Sequence, residues 1–305
     1  MSTPAASAPR DPDVTRDQIR RFLLDAEALP SPKGAALRLI ELARDPEASI
    51  DETVRVIQTD PALTGFVLRA ANAARFGGIE RTLDLKRAVV RAGMQMVRAH
   101  ALALSMIRDH ARPRCTHFNY QMFWTESLYT AVLMDRLAAH FRQFRPGEAF
   151  VLGLLAGIGR LAFATAAPDE YGTVLARAAE RGVPLQLLEQ QAFGFDHHEL
   201  SAVLLADWGV PTELADVVYW QRDPEGGGFE PDSRPYLLAG VLQLAAGVAS
   251  TALAPEAGGG GIVYLRAAML ELEEADMAEL TSAGLAELRE WLQLIGLPPL
   301  PKPQG

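Results

Sequence analysis

Four consecutive residues, Asp196, His197, His198 and Glu199, set two imidazoles beside two carboxylates. Such groups serve as transition-metal ligands or as the acid and base of a hydrolytic site. Asp196 and Glu199 also have the three-residue spacing of a helix start, where each side chain satisfies the other's backbone N–H. The expectation is therefore a cap, with the histidines as capping and surface groups rather than metal ligands. Glu126 falls on a helical face with Thr130, Leu133 and Leu137, which predicts a half-buried, satisfied carboxylate rather than a catalytic one. Arg160 is the single charge between Ala149 and Ala167. It could bind an anion, but pairing with a nearby carboxylate is expected. Cys115 is the only cysteine, so neither an internal disulfide nor a thiolate metal site is available, and no catalytic role is assigned to it.

The elements that must position these groups read as helices throughout. In "LPSPKGAALRLIELARDP", Ser31 can cap a helix that Pro32 opens, with Leu37, Ile40 and Ala43 on one face and Asp45-Pro46 as the stop. Ser49 and Glu52 have capping-box spacing before Val54 and Ile57. Asp60 caps and Pro61 opens a third helix that carries Leu63, Phe66, Val67 and Ala70 and ends at Gly77-Gly78, with Asn72 and Phe76 holding the following turn. A short helix, a break at Gly93 and a longer helix follow. The outline resembles a helix-turn-helix with Arg87, Arg91 and Arg98 nearby, but two packed helices with solvated arginines are expected. Further helices are predicted over 120–141, 148–166, 197–208, 211–221, 235–253 and 283–295, with Gly209 just past the end of one. No strand alternation of useful length and no internal repeat is present.

Nearly half of the 305 residues are hydrophobic and 22% are charged, a globular balance with material for a sizeable core. The net charge of -9 argues against non-specific binding to nucleic acid or to an anionic membrane. The apolar run 149–167 has the length of a membrane span. Its Ala and Gly content and its central Arg160 instead predict a buried core helix. The first eighteen residues contain no apolar signal-peptide core, and with a single cysteine the expected location is the cytoplasm.

Four segments carry a resemblance. "LPSPKGAALRLIELARDPEASIDETVRVIQTDPALTGFVLRAANAARFGG" resembles the opening of the HDOD domain, the HD-related output domain of bacterial signalling proteins. "FWTESLYTAVLMDRLA", "EAFVLGLLAGIGRLAF" and "GFDHHELSAVLLADWGVPTELADVVYWQRDPE" resemble its later segments in the same order. The resemblance covers 29–225. It implies an all-α module, a helical N-terminal part packed on a bundle similar to HD-type metal-dependent phosphohydrolases.

A working HD site needs about three protein ligands and one open position for water. The resemblance places those ligand positions at Glu126, Ala156-Gly157, His197, Trp220-Gln221 and Ala246, with Arg160 where a lysine is common. Alanine and glycine have no side-chain donor, so the metal set is broken and only His197, with Glu126 as a substitute, keeps ligand character. The expected organisation is a disordered tail over 1–16, a helical N-terminal part over 17–114, an HD-like bundle over 115–254, a Gly-rich loop over 255–262 and C-terminal helices with a Pro-rich tail over 263–305. The expected function is non-catalytic regulation in bacterial signal transduction. It would act without cofactor or metal, through a protein partner such as a response regulator or a cyclic-dinucleotide signalling enzyme. Two alternatives stand beside it: a divergent phosphohydrolase using Glu126 and His197, and a nucleotide sensor built on the old pocket around Arg160, His197 and Glu126.

Overall fold

The computed structural model describes residues 12–26, 29–30, 34–44, 48–59, 61–71, 82–94, 97, 106, 114–141, 143–144, 148–254 and 260–300. Among them every regular element is a helix, so the fold is all-α. The N-terminal part holds α1 (Pro12–Asp25), α2 (Gly34–Arg44), α3 (Ile50–Gln58), α4 (Pro61–Ala71) and α5 (Leu85–Ala92). The larger part holds α6 (Tyr120–Ala138), α7 (Glu148–Leu155), α8 (Ile158–Ala166), α9 (Pro168–Arg181), α10 (Leu185–Phe193), α11 (His197–Asp207), α12 (Thr212–Tyr219) and α13 (Arg234–Leu253). It ends with α14 (Gly260–Met269) and α15 (Glu274–Ile295).

Local chemistry explains several of these boundaries. Ser49 accepts from the Glu52 backbone while Glu52 accepts from the Ser49 backbone, the reciprocal box expected at the start of α3. Asp84 caps α5, and Gly93 ends it at φ +87°, a conformation that favours glycine. Gly209 follows α11 at φ +73°, where its N–H donates to Ala206 O at 2.8 Å. The expected caps at Ser31 and Asp60, the turn at Asn72 and Phe76, Arg98 and most of the helix expected after Gly93 lie outside the described residues.

Three expectations change. The chain is helical from Pro12, so residues 12–16 are not tail: Thr15 and Ile19 are buried, and the apolar face of α1 docks on α11. The 255–262 loop is shortened by α14, which begins at Gly260. The 148–166 helix is not continuous, because it turns at Ala156 and Gly157 and restarts at Ile158.

The core centres on α6, which packs on α7, α13 and α15. Gly153 makes the α6–α7 approach possible. A Cβ there would lie 2.8 Å from the Ala131 Cα and 2.9 Å from the Thr130 carbonyl oxygen, so any larger residue meets backbone. A second node is aromatic. Phe22 of α1 meets Phe163, Phe193 and Phe195 at centroid distances of 5.6, 6.0 and 5.5 Å, tying α1 to α8 and α10. Two segments, Glu148–Ala166 and Arg234–Leu253, have the length and apolarity to cross a membrane, and both are mostly buried in the fold.

Candidate functional site

The residues singled out in the sequence meet where α6, α8, α10 and α11 converge. Glu126 projects from α6 and Arg160 from α8, and they form an ion pair at 2.9 Å. This is the pairing expected of Arg160, and Glu126 is half-buried as its position on α6 predicts. The guanidinium also lies 6.0 Å from the ring centroids of Phe118 and Phe123. Burial works against its charge, yet the Glu126 carboxylate, with the Tyr171 and Glu189 oxygens nearby, holds its pKa above the ordinary arginine value.

His197 opens α11 and is buried, not a surface group as expected. Its Nδ1 stands 2.6 Å from the Glu189 carboxylate, and its backbone N–H donates to the same oxygen at 3.1 Å. The other Glu189 oxygen accepts from the Tyr171 hydroxyl at 2.9 Å. Burial alone would raise the Glu189 pKa, but His197 and these hydrogen bonds outweigh it, so the group is held below its usual range as a carboxylate. Burial and the Glu189 charge push the Tyr171 phenol far above its ordinary value. Neither Glu189 nor Tyr171 stands out in the sequence as a site residue. The available signal was weak: Glu189 shares the i, i+4 stripe of Leu185 and Phe193 on α10, an acid on an otherwise apolar face.

Asp196 and Glu199 do form the expected cap. Asp196 accepts from the His198 and Glu199 N–H groups at 2.8 and 3.1 Å, and Glu199 accepts from the Asp196 N–H at 2.7 Å. Burial opposes the Asp196 charge, but His198, His197 and the cap bonds depress its pKa strongly. His198 is also enclosed. Its ring lies 4.0 Å from that of His197, and its Nδ1 is 3.6 Å from Asp196, beyond hydrogen-bond reach. Burial and the neighbouring His197 push its pKa down to about 4, with Arg222 adding and Asp196 opposing.

The other positions suggested by the resemblance are engaged elsewhere. Ala156 is buried, and a Cβ added at Gly157 would stand 3.8 Å from the Phe123 ring, so apolar contact replaces donors at this turn. Trp220 ends α12 and packs by Gly227, while the buried Gln221 side chain donates to Val218 O at 2.9 Å. Ala246 is half-buried within α13. Among the described residues, no group of three or more His, Cys, Asp or Glu side chains is placed to hold a metal ion. The donor set therefore does not fit a hydrolytic metal: its carboxylates and His197 are spent on each other, on Arg160 and on the α11 cap.

An all-helical module with a polar cluster largely paired within itself is the class that fold and site define. The chain matches the HDOD domain over residues 29–224 and belongs to that family. A protein from Treponema pallidum (strain Nichols) is 27% identical over 203 residues, and the chain spans 38% of that relative's length. An HDOD domain protein from Geobacter sulfurreducens has the same fold, with a TM-score of 0.70 at 18% identity over 91% of this chain and 99% of that one. The MmoQ response regulator from Methylococcus capsulatus is 35% identical, with a TM-score of 0.51, over 84% of this chain and 98% of that one. A provisionally named phosphohydrolase from Shewanella amazonensis SB2B is 25% identical, with a TM-score of 0.67, over 90% of this chain and 96% of that one.

Proposed function

We propose that this chain is a non-catalytic regulatory module of bacterial signal transduction that works in the cytoplasm by binding a protein. The observation that carries the reading is the turn at Ala156 and Gly157, which offers no donor atom where the HD resemblance would put a His-Asp pair. The surrounding polar groups support it, since Glu189 already uses both carboxylate oxygens and Glu126 is taken by Arg160. A phosphate entering beside Arg160 would have to displace Glu126 and face the Glu189 and Asp196 carboxylates, which disfavours anionic substrates. Likeness to a response regulator favours a partner in the same chemistry of signalling, a response regulator or a cyclic-dinucleotide signalling enzyme.

The test pairs elemental analysis of the chain, purified without chelator, with a hydrolysis screen on nucleotides and cyclic dinucleotides. The expected result is no stoichiometric transition metal and no turnover above buffer. About one equivalent of iron, manganese or zinc, with turnover that a chelator abolishes, overturns the reading in favour of a divergent phosphohydrolase. A nucleotide-dependent rise in melting temperature would instead establish a ligand sensor, since a ligand that binds only the native state stabilises it by mass action.

A further inference from the structure

The outward face of α14 has no counterpart elsewhere among the described residues. Four of the ten exposed large hydrophobic side chains lie on this one helix: Ile262 at 46% exposure, Tyr264 at 76%, Leu265 at 62% and Met269 at 46%. Gly261 and Ala268 complete that face, so from 261 to 269 it presents no charge and only the Tyr264 hydroxyl as a polar group. The inward face is fully committed. Arg266 is buried in an ion pair with Glu225 and bonds Gln243 of α13, and Ala267 is buried. The helix is thus anchored and cannot turn its apolar side inward.

We propose that α14 is a self-association surface through which two copies of this chain pair, antiparallel, across a two-fold axis near Leu265. Three physical points select this occupant. The stripe is uncharged, so it faces its own copy without like-charge repulsion, and Gly261 and Ala268 let the two backbones approach. The side chains expose roughly 400–500 Å² per copy, inside the range of about 300–600 Å² for the largest apolar patch of a monomer, which is often functional. Two copies together reach roughly 800–1,000 Å² when both faces are wholly covered, the size of a weak, reversible pairing. The charges around the stripe then set the direction. Glu271, Glu273 and Glu274 follow the C-terminal end of α14. A parallel pair would bring the six acids together. An antiparallel pair places them beside the partner's α14 N-terminus, where the helix dipole favours negative charge. A membrane is a poor occupant, because the exposed face offers no basic residue to meet lipid headgroups.

The experiment is a sedimentation or light-scattering measurement on the full chain across a micromolar concentration series. The expected result is a reversible rise towards twice the chain mass, abolished in Leu265→Glu and in Met269→Glu. Both variants should keep the wild-type helical circular dichroism, since these side chains are already in water. Direction is read by oxidative cross-linking: Leu265→Cys should form a disulfide-linked dimer and Met269→Cys should not, with the buried Cys115 out of reach. A wild-type mass of one chain throughout the series overturns the proposal, as does a dimer that survives both charge substitutions. Cross-linking by Met269→Cys, with or without cross-linking by Leu265→Cys, overturns the antiparallel arrangement centred on Leu265. A monomer that binds neutral-lipid vesicles through α14 assigns the face to a membrane instead.

Discussion

At the residue scale the Glu189–His197 contact is tightly held, because both side chains are buried and removing the imidazole takes away the cationic partner of the Glu189 carboxylate. His197→Ala should therefore cost about 3–5 kcal/mol of stability. Urea midpoints measure the loss. Joint replacement by Glu189→Leu and His197→Leu should recover only part of it, because the buried Tyr171 hydroxyl and the residue-197 N–H then lose their acceptor; a double variant as stable as the wild type would count against those two bonds. His198 sets a pH dependence. Its folded pKa of about 4 lies below the ordinary value of about 6.5. Between those values the unfolded chain takes up a proton that the native chain refuses. Stability is then complete above about pH 6.5 and falls as the pH drops towards 4, by up to about 3 kcal/mol. Denaturation midpoints at about pH 7.5 and about pH 5 test this, and His198→Gln should flatten the difference. An equally steep decline in that variant would assign the loss to other groups.

At the element scale, α8 and α11 interlock through backbone. The Gly159 N–H donates to the Ser201 hydroxyl at 2.8 Å, and that hydroxyl donates to the His197 carbonyl at 2.6 Å. A Cβ at Gly159 would overlap that same carbonyl oxygen, which belongs to the start of α11 and cannot swing aside as a side chain would. Gly159→Ala should cost more than the 1–3 kcal/mol typical of overpacking and should disturb the Glu189–His197 contact. Gly157→Ala, with the Phe123 ring at 3.8 Å from the added Cβ, should change stability by less than about 1 kcal/mol. Thermal melts of the two variants side by side make the comparison, and equal shifts would show that α8 does not approach α11 this closely.

The whole molecule extends beyond the residues that match the family. The outlying α1, α13 and α15 all bury surface of the matched part: Phe22 meets the aromatic node, α13 packs on α6 and α12, and α15 packs on α6. Tyr129 of α6 donates to the Thr281 carbonyl at 3.1 Å, and Arg136 pairs with Glu287 at 2.9 Å. Cut to residues 29–224, the chain loses cover from Tyr129, Leu133 and Phe163, all of them fully buried in the intact fold. The expectation is a poorly soluble or molten product that binds hydrophobic dye and lacks a cooperative melt. A cooperative transition close to that of the full chain would mean that the outer helices are accessories.

Much of the architecture was legible in the residue string because helix starts and stops are decided within about four residues. Ser49 with Glu52, Asp196 with Glu199, and glycine at 93 and 209 could be read from spacing alone. Arg160 in an apolar run also announced its need for a carboxylate, since burying an unpaired charge is costly. What spacing could not settle was which groups meet across helices. Glu189 and His197 are eight residues apart on different helices, and their contact depends on how α10 and α11 leave the turn at Gly194. The break at Ala156-Gly157 and the outward apolar face of α14 are likewise outcomes of packing. Hydrophobicity sets how much surface seeks burial, but only the tertiary arrangement of α13 and α14 decided which side of the last short helix was left in water.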